Sequence, residues 1–207
     1  MFATRPEAPL AQVRGVLGDP DALRARIHRA LADREPRAVR SAADSRRAAV
    51  LVPLIFAPGG PAFVLTQRTD TVEHHKGQIS FPGGRVEVGD ADATEAALRE
   101  TEEEVGLTRD HVTVIGRLDT YITGTGFEIT PVVGIVKVPF PLAIDPFEVS
   151  EVFEVPLSFI LDPNNHRRMM RDFEERTRIF FVLPFENRNI WGATAGMLVN
   201  LAEVLTD

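Results

Sequence analysis

Gly84-Arg-Val-Glu-Val-Gly-Asp90-Ala-Asp-Ala-Thr-Glu95-Ala-Ala-Leu-Arg99-Glu100-Thr-Glu-Glu103-Glu104-Val-Gly106-Leu107 is the stretch that decides how this chain is read. An α-helix turns about 100° per residue, so Glu100, Glu103 and Glu104 fall within roughly 100° of arc on one face. Leu98, Thr101 and Val105 lie on the opposite side, where a core takes them. Gly83-Gly84 predicts a tight turn before the helix, and Gly106 stands where a helix C-cap belongs. Three crowded carboxylates repel one another, and on a bland helix they are simply a solvated face. Arg99 changes that reading, because it is spaced to pair with Glu103 at i+4 and Glu95 at i−4. An arginine, three glutamates and a glycine at these offsets arise by chance about once in a million start positions. Hard divalent cations relieve such crowding, since Mg²⁺ and Mn²⁺ prefer carboxylate oxygens and keep positions open for water and phosphate. The segment reads as a metal platform.

Upstream of it the pattern is β. Ala48–Ala57 and Ala62–Arg68 are apolar runs separated by Pro58-Gly-Gly-Pro61, a hairpin signal. Downstream, Val112–Ile122 and Phe127–Val138 are further β runs split by Thr123-Gly-Thr-Gly126. That glycine segment lacks the Lys-Ser/Thr of a phosphate loop and reads as a hairpin turn. Val149–Ile160 mixes a short strand with a helical turn, and Arg167–Phe173 with Arg178–Pro184 forms another hairpin. A terminal helix carries Trp191, Ala195, Leu198, Ala202 and Leu205 on one seam, which predicts a core position for Trp191. Strands and helices do not alternate as in a doubly wound sheet, so the class is α+β.

Residues 1–45 differ from the rest, being rich in Pro, Ala, Arg and Asp. They hold one predicted helix near Asp21–Asp33 with Leu23, Ile27 and Leu31 on a stripe. We read them as an N-terminal helical arm packed on the domain or on a partner subunit, and 46–207 as the domain itself.

With 207 residues there is material for one domain with a sizeable core and a short extension. The net charge of −7 argues against nucleic-acid binding through a basic face. An anionic substrate then has to be met by metal ions or a few placed Arg and Lys. The absence of cysteine excludes disulfides, thiolate zinc sites and a Cys nucleophile. The first residues form no signal-peptide apolar region, and the longest apolar run is too short for a bilayer. The expectation is a cytoplasmic protein with no membrane partner.

Arg99-Glu100-x-x-Glu103-Glu104-x-Gly106-Leu107 resembles the signature of the Nudix hydrolases. The resemblance implies an α/β/α sandwich with a mixed central sheet and hydrolysis of nucleoside diphosphates linked to another moiety. It also implies that Glu100, Glu103 and Glu104, with the carbonyl of Gly84, hold Mg²⁺ or Mn²⁺ while Arg99 orients the acidic cluster. Leu65-Thr-Gln-Arg68-Thr followed by Gly77-Gln-Ile-Ser-Phe81-Pro-Gly-Gly84 is similar to the upstream motif of the coenzyme A pyrophosphatase branch. Thr130-Pro-Val-Val-Gly134, Glu148–Leu157 and Ile190-Trp-Gly-Ala-Thr-Ala195 look like that branch too, so the likeness runs from about residue 46 to the end. It implies Arg68, Lys76, Gly77 and Phe81 as substrate-binding residues. Two positions depart from the pattern. Asp90 stands where the signature expects Glu, with one extra residue before Arg99, and Glu73 replaces an arginine common in that branch, leaving Lys76, His74 and His75 nearby as cations.

Pyrophosphate is anionic and repels hydroxide, so its cleavage needs charge neutralisation, an activated water and a held leaving group. The general base is left open among Glu100 and Glu103 on the helix and Glu128, Glu148 and Glu151 from later segments. Coenzyme A as substrate gives 3′,5′-ADP and 4′-phosphopantetheine. Its 3′-phosphate then needs a cation, from Arg68, Lys76 or Arg167-Arg168. Alternatives are a Nudix pyrophosphatase for ADP-ribose, NADH or an oxidised nucleotide, and a non-catalytic nucleotide-binding module. A homodimer is compatible with either.

Overall fold

The computed structural model describes residues 13–32, 34–37, 45–69, 77–173 and 176–207. Its centre is strand β1 (Arg46–Ala57), whose long apolar run follows from burial on both faces. Alternate side chains go to opposite sides: Ala49, Leu51 and Ile55 enter one core, Val50, Val52 and Leu54 the other. Strand β2 (Gly60–Arg68) returns antiparallel through a two-residue turn, with Ala57 opposite Gly60. Only the hairpin end of this pair is bonded, from Leu54↔Phe63 to Ala57↔Gly60. Beyond it the strands part, and the segment carrying β3 (Ile79–Ser80) and β4 (Gly83–Arg85) threads the fork. β3 pairs with β2 and β4 with β1, each antiparallel.

Helix α2 (Ala93–Val105) follows, after helix α1 (Pro20–Ala32) earlier in the chain. Next come β5 (Val112–Arg117), β6 (Tyr121–Ile122), β7 (Phe127–Val136) and β8 (Val149–Pro156). β7 runs parallel to β1, while β5 and β6 pair antiparallel with β7 and β8 with β2, so the sheet is mixed. The single apolar run expected over Val112–Ile122 is broken at 118–120. The register of β5 slips between Val114 and Gly116, and β6 pairs further along β7. A short helix α3 (Leu157–Leu161) leads to a second, three-stranded antiparallel sheet of β9 (Arg167–Phe173), β10 (Arg176–Phe185) and β11 (Arg188–Trp191). Helix α4 (Gly192–Thr206) ends the chain.

Helices cover both faces of the main sheet. α2 packs on one face through Ala93, Ala96, Ala97 and Val105. On the other, Leu198, Leu201 and Leu205 of α4 share a core with Leu23, Ile27 and Leu31 of α1. All three α1 residues are buried, so this helix closes the same core as the sheet it lies on. The molecule is an α+β sandwich of helices about a mixed sheet.

Trp191 is a correction to the sequence reading. It ends β11 rather than lying on the α4 seam, and it is 42% exposed, with its ring edge-on to Phe180. Its spacing from Ala195 mimics a helical seam, but extended backbone at Trp191 turns the side chain outward.

Candidate active site

Asp92 starts α2 by accepting from the backbone N–H of Thr94 at 2.7 Å and of Glu95 at 3.1 Å. Gly106 ends it in the left-handed region, φ 72°, donating its N–H to the Glu102 carbonyl. Between these caps the acidic face is pressed against the threaded β4 strand. Here the expected tight turn at Gly83-Gly84 is replaced by extended strand, and the glycines answer to close approach instead. A Cβ on Gly83 would lie 2.4 Å from the Ala49 carbonyl oxygen, with φ at 148°. A Cβ on Gly84 would lie 2.4 Å from the Glu100 carboxylate. Gly84 therefore lets a carboxylate rest on its backbone.

Glu104 is the most enclosed of the three glutamates, 4% exposed. Its Oε2 accepts from the Gly83 N–H at 3.1 Å and its Oε1 from Arg68 Nη1 at 3.4 Å. Burial pushes its carboxyl up to about 7, against the opposing pull of the Gly83 amide and Arg68, with Glu148 and Glu100 adding to the rise. Burial also raises the Glu100 carboxyl, with Arg99 opposing. Glu103 is 60% exposed and faces solvent.

Arg99 gathers the rest of the cluster. Its Nε and Nη2 clamp both oxygens of Asp90 at 3.0 Å, Nη1 reaches Glu100 and Glu103 at 3.1 Å, and Nη2 also donates to the Arg85 carbonyl at 3.1 Å. Five contacts use the five N–H groups of the guanidinium. The hydrogen bond from Arg99 and the Glu87 N–H hold the Asp90 carboxyl below the usual range. The i−4 pair expected between Arg99 and Glu95 does not form: Arg99 turns to the loop at Asp90, and Glu95 pairs with Arg109 at 3.1 Å instead.

Of the later acidic candidates, Glu148 is brought to the cluster. Arg68 bridges it at 3.2 Å to Glu104. Glu151 is taken up by Arg188 at 2.5 Å, and Glu128 accepts from Ser45 Oγ at 3.2 Å. Gly77 lies at the start of the threaded segment with φ 63°, and Phe81 is 1% exposed in the wall of the adjoining cavity. Glu73, His74, His75 and Lys76 lie outside the described residues.

That cavity, about 570 Å³, opens beside Gly83 and Gly84 on the face of the sheet opposite α2. Arg68 and Phe81 line it, and Arg167 and Arg168 are not among its lining residues. Sequence reasoning missed Arg46, Arg85 and Phe127, which also line it. The signal was available in β1, where Arg46, Ala48 and Val50 alternate onto one face.

The donor set of carboxylates plus a backbone carbonyl suits Mg²⁺ or Mn²⁺ and offers nothing soft. In this side-chain arrangement no three acidic groups among the described residues surround one point, because Glu100 and Glu103 turn to Arg99 and Glu104 to Arg68. The close packing of Glu100 on Gly84 nonetheless brings carboxylate and backbone oxygen donors together, a set whose chemistry fits such a cation.

The NUDIX domain profile matches residues 45–174. An uncharacterized Nudix hydrolase NudL of Cronobacter sakazakii is 38% identical over 81% of this chain and 86% of its own length. One of the same name from Yersinia pestis is 37% identical over 78% and 80%. Among solved structures, a C. elegans Ap4A hydrolase aligns over 53% of this chain and 80% of its own, at 24% identity and a TM-score of 0.47.

Proposed function

The chain belongs to the Nudix family, hydrolases of pyrophosphate bonds that work with divalent cations, and from that premise we propose coenzyme A as its substrate. Water attacks one phosphorus, the bridging P–O bond breaks, and the products are 3′,5′-ADP and 4′-phosphopantetheine. One observation carries the reading. The Gly77–Gly84 motif runs from the cavity wall at Phe81 directly into the strand against which Glu100 and Glu104 pack. Substrate wall and acidic cluster are thus consecutive pieces of one threaded segment.

In this proposal Glu100, Glu103, Glu104 and the Gly84 carbonyl hold Mg²⁺ or Mn²⁺. When bound, the cation neutralises pyrophosphate charge and lowers the pKa of water. Arg99 keeps Glu100 and Glu103 in place and ties them to Asp90 and the β4 backbone. Arg68 and Phe81 line the substrate side, and Lys76 and Gly77 are assigned to it by the likeness of their motif alone. Proton removal from the attacking water falls to a carboxylate at this rim: Glu100, Glu103 or Glu148. Glu103→Gln and Glu148→Gln pH–rate profiles discriminate them, the base variant losing the acid limb.

No helix among the described residues is long and apolar enough to cross a membrane, and we place the enzyme in the cytoplasm. Met169, Met170 and Ile179 are exposed on the β9–β10 hairpin, where a second copy would dock in a homodimer. Coenzyme A incubated with the protein and Mg²⁺ tests the substrate assignment. Release of 3′,5′-ADP that EDTA abolishes is the expected result, and intact coenzyme A refutes it.

A further inference from the structure

Three side chains from adjacent strands meet in the cavity at its β7 end. Arg46 opens β1, Phe127 is its partner across the parallel β1–β7 pair, and Arg85 sits on β4 opposite Ala48. The Arg46 guanidinium stands 4.1 Å from the Phe127 ring centroid and that of Arg85 stands 5.7 Å from it. Two cations thus share one aromatic ring. Arg46 Nη2 donates to the Thr125 carbonyl at 2.6 Å, which fixes the guanidinium without neutralising it.

Neither arginine is in an ion pair with a carboxylate among the described residues, whereas Arg68 and Arg99 in the same site each have acidic partners. Glu128, the residue after Phe127, belongs to the opposite face by strand alternation and is engaged by Ser45. Like charges held close on one ring, with no carboxylate between them, make a site for an anion.

Its position says which anion. The Arg85 carbonyl is held by Arg99, and Gly84, one residue earlier, carries the Glu100 carboxylate. The Arg85 backbone is therefore one strand residue, roughly 3.3 Å of rise, from Gly84, on which the Glu100 carboxylate rests. The same cavity is also lined by Ala48, Val50 and Ile129, which suit a sugar and base rather than charge.

We propose that Arg46 and Arg85, paired on Phe127, bind a second phosphate of the substrate, a phosphomonoester on the nucleoside distinct from the pyrophosphate. The inference rests on the pyrophosphatase reading and narrows its substrate class to nucleotides with an extra phosphate. It also moves that contact away from Arg68, which is engaged with Glu104 and Glu148.

The test has a binding arm that needs no turnover. Calorimetry in EDTA compares 3′,5′-ADP with 5′-AMP on the full-length protein, Arg46→Ala and Arg85→Ala. Wild type binds 3′,5′-ADP about tenfold more tightly than 5′-AMP, and each variant loses that preference while keeping its affinity for 5′-AMP. Arg85→Ala leaves the Thr125 contact in place and guards against a folding artefact at Arg46. The kinetic arm compares coenzyme A with dephospho-coenzyme A, where the variants raise KM for coenzyme A alone. No preference in wild type, or equal loss of both ligands in both variants, overturns the inference. Absence of turnover with a surviving binding preference refutes the coenzyme A reading and leaves the phosphate subsite standing.

Discussion

Replacing Glu104 by Gln should stabilise the metal-free protein at alkaline pH while disabling it. Burial holds the Glu104 carboxyl at about 7, against 4.5 for an ordinary glutamate. At 1.36 kcal/mol per pH unit, keeping this group ionised in the fold costs about 3 kcal/mol above neutrality. Because the folded pKa is raised, the favourable contribution is complete below pH 4.5 and is lost as pH rises through about 7. Glutamine still accepts from the Gly83 N–H, and the pull of Arg68 on the carboxylate is already contained in the rise to about 7. The net gain at pH 8 is about 3 kcal/mol, or roughly 6–12 °C in Tm for a chain of this size. At pH 5 the gain falls below about 1 kcal/mol. Thermal unfolding in EDTA at both pH values measures it. Added Mg²⁺ at about a hundredfold its Kd should stabilise wild type by about 2.7 kcal/mol at pH 8 and Glu104→Gln by much less. Turnover in the variant should fall at least about a hundredfold. A variant less stable than wild type in EDTA at pH 8, or a difference independent of pH, would refute the reasoning.

The paired glycines separate fold from function. Gly83→Ala drives a Cβ into the Ala49 backbone at a positive φ and should cost about 3 kcal/mol or more by urea unfolding. Gly84→Ala meets only the movable Glu100 carboxylate, so it should cost under about 1 kcal/mol yet reduce turnover about a hundredfold; the opposite ranking in urea would contradict the packing described. Ile27→Ala, fully buried on α1, should cost about 2–5 kcal/mol, and a loss below about 0.5 kcal/mol would make that helix an appendage. Asp90 behaves in the opposite sense to Glu104. Its carboxyl is held low by Arg99, so its contribution is present above the ordinary carboxylate range and lost as pH falls. Asp90→Asn should therefore flatten the acid side of the stability–pH curve, and an unchanged curve would show that the clamp adds nothing.

The local features were legible from sequence because their causes are local. The apolar run of β1, the Pro58–Pro61 turn, the acidic face of α2 with its Gly106 cap and the stripe of α1 each follow from neighbours a few residues away. Partnerships set by tertiary register were not. Arg99 spaces equally well to Glu95, and only the loop that brings Asp90 alongside decides its partner. The Arg68 bridge joins Glu104 to Glu148, and the Arg46–Phe127 pair depends on a parallel register over 81 positions of chain. Gly83-Gly84 has the composition of a turn; the fork between β1 and β2 makes it a strand. The carboxylate platform could be read because it lies on one helix, whereas the substrate side is assembled from five strands and a helix.

The most direct measurement is product analysis with coenzyme A, ADP-ribose, NADH and 8-oxo-dGTP in Mg²⁺ and Mn²⁺, with an EDTA control. Metal-dependent release of 3′,5′-ADP from coenzyme A, at a kcat/KM at least about tenfold above the others, is the result the account predicts. Preferred cleavage of any other compound in the panel contradicts the coenzyme A assignment, and no turnover of any contradicts the catalytic role given to the acidic cluster.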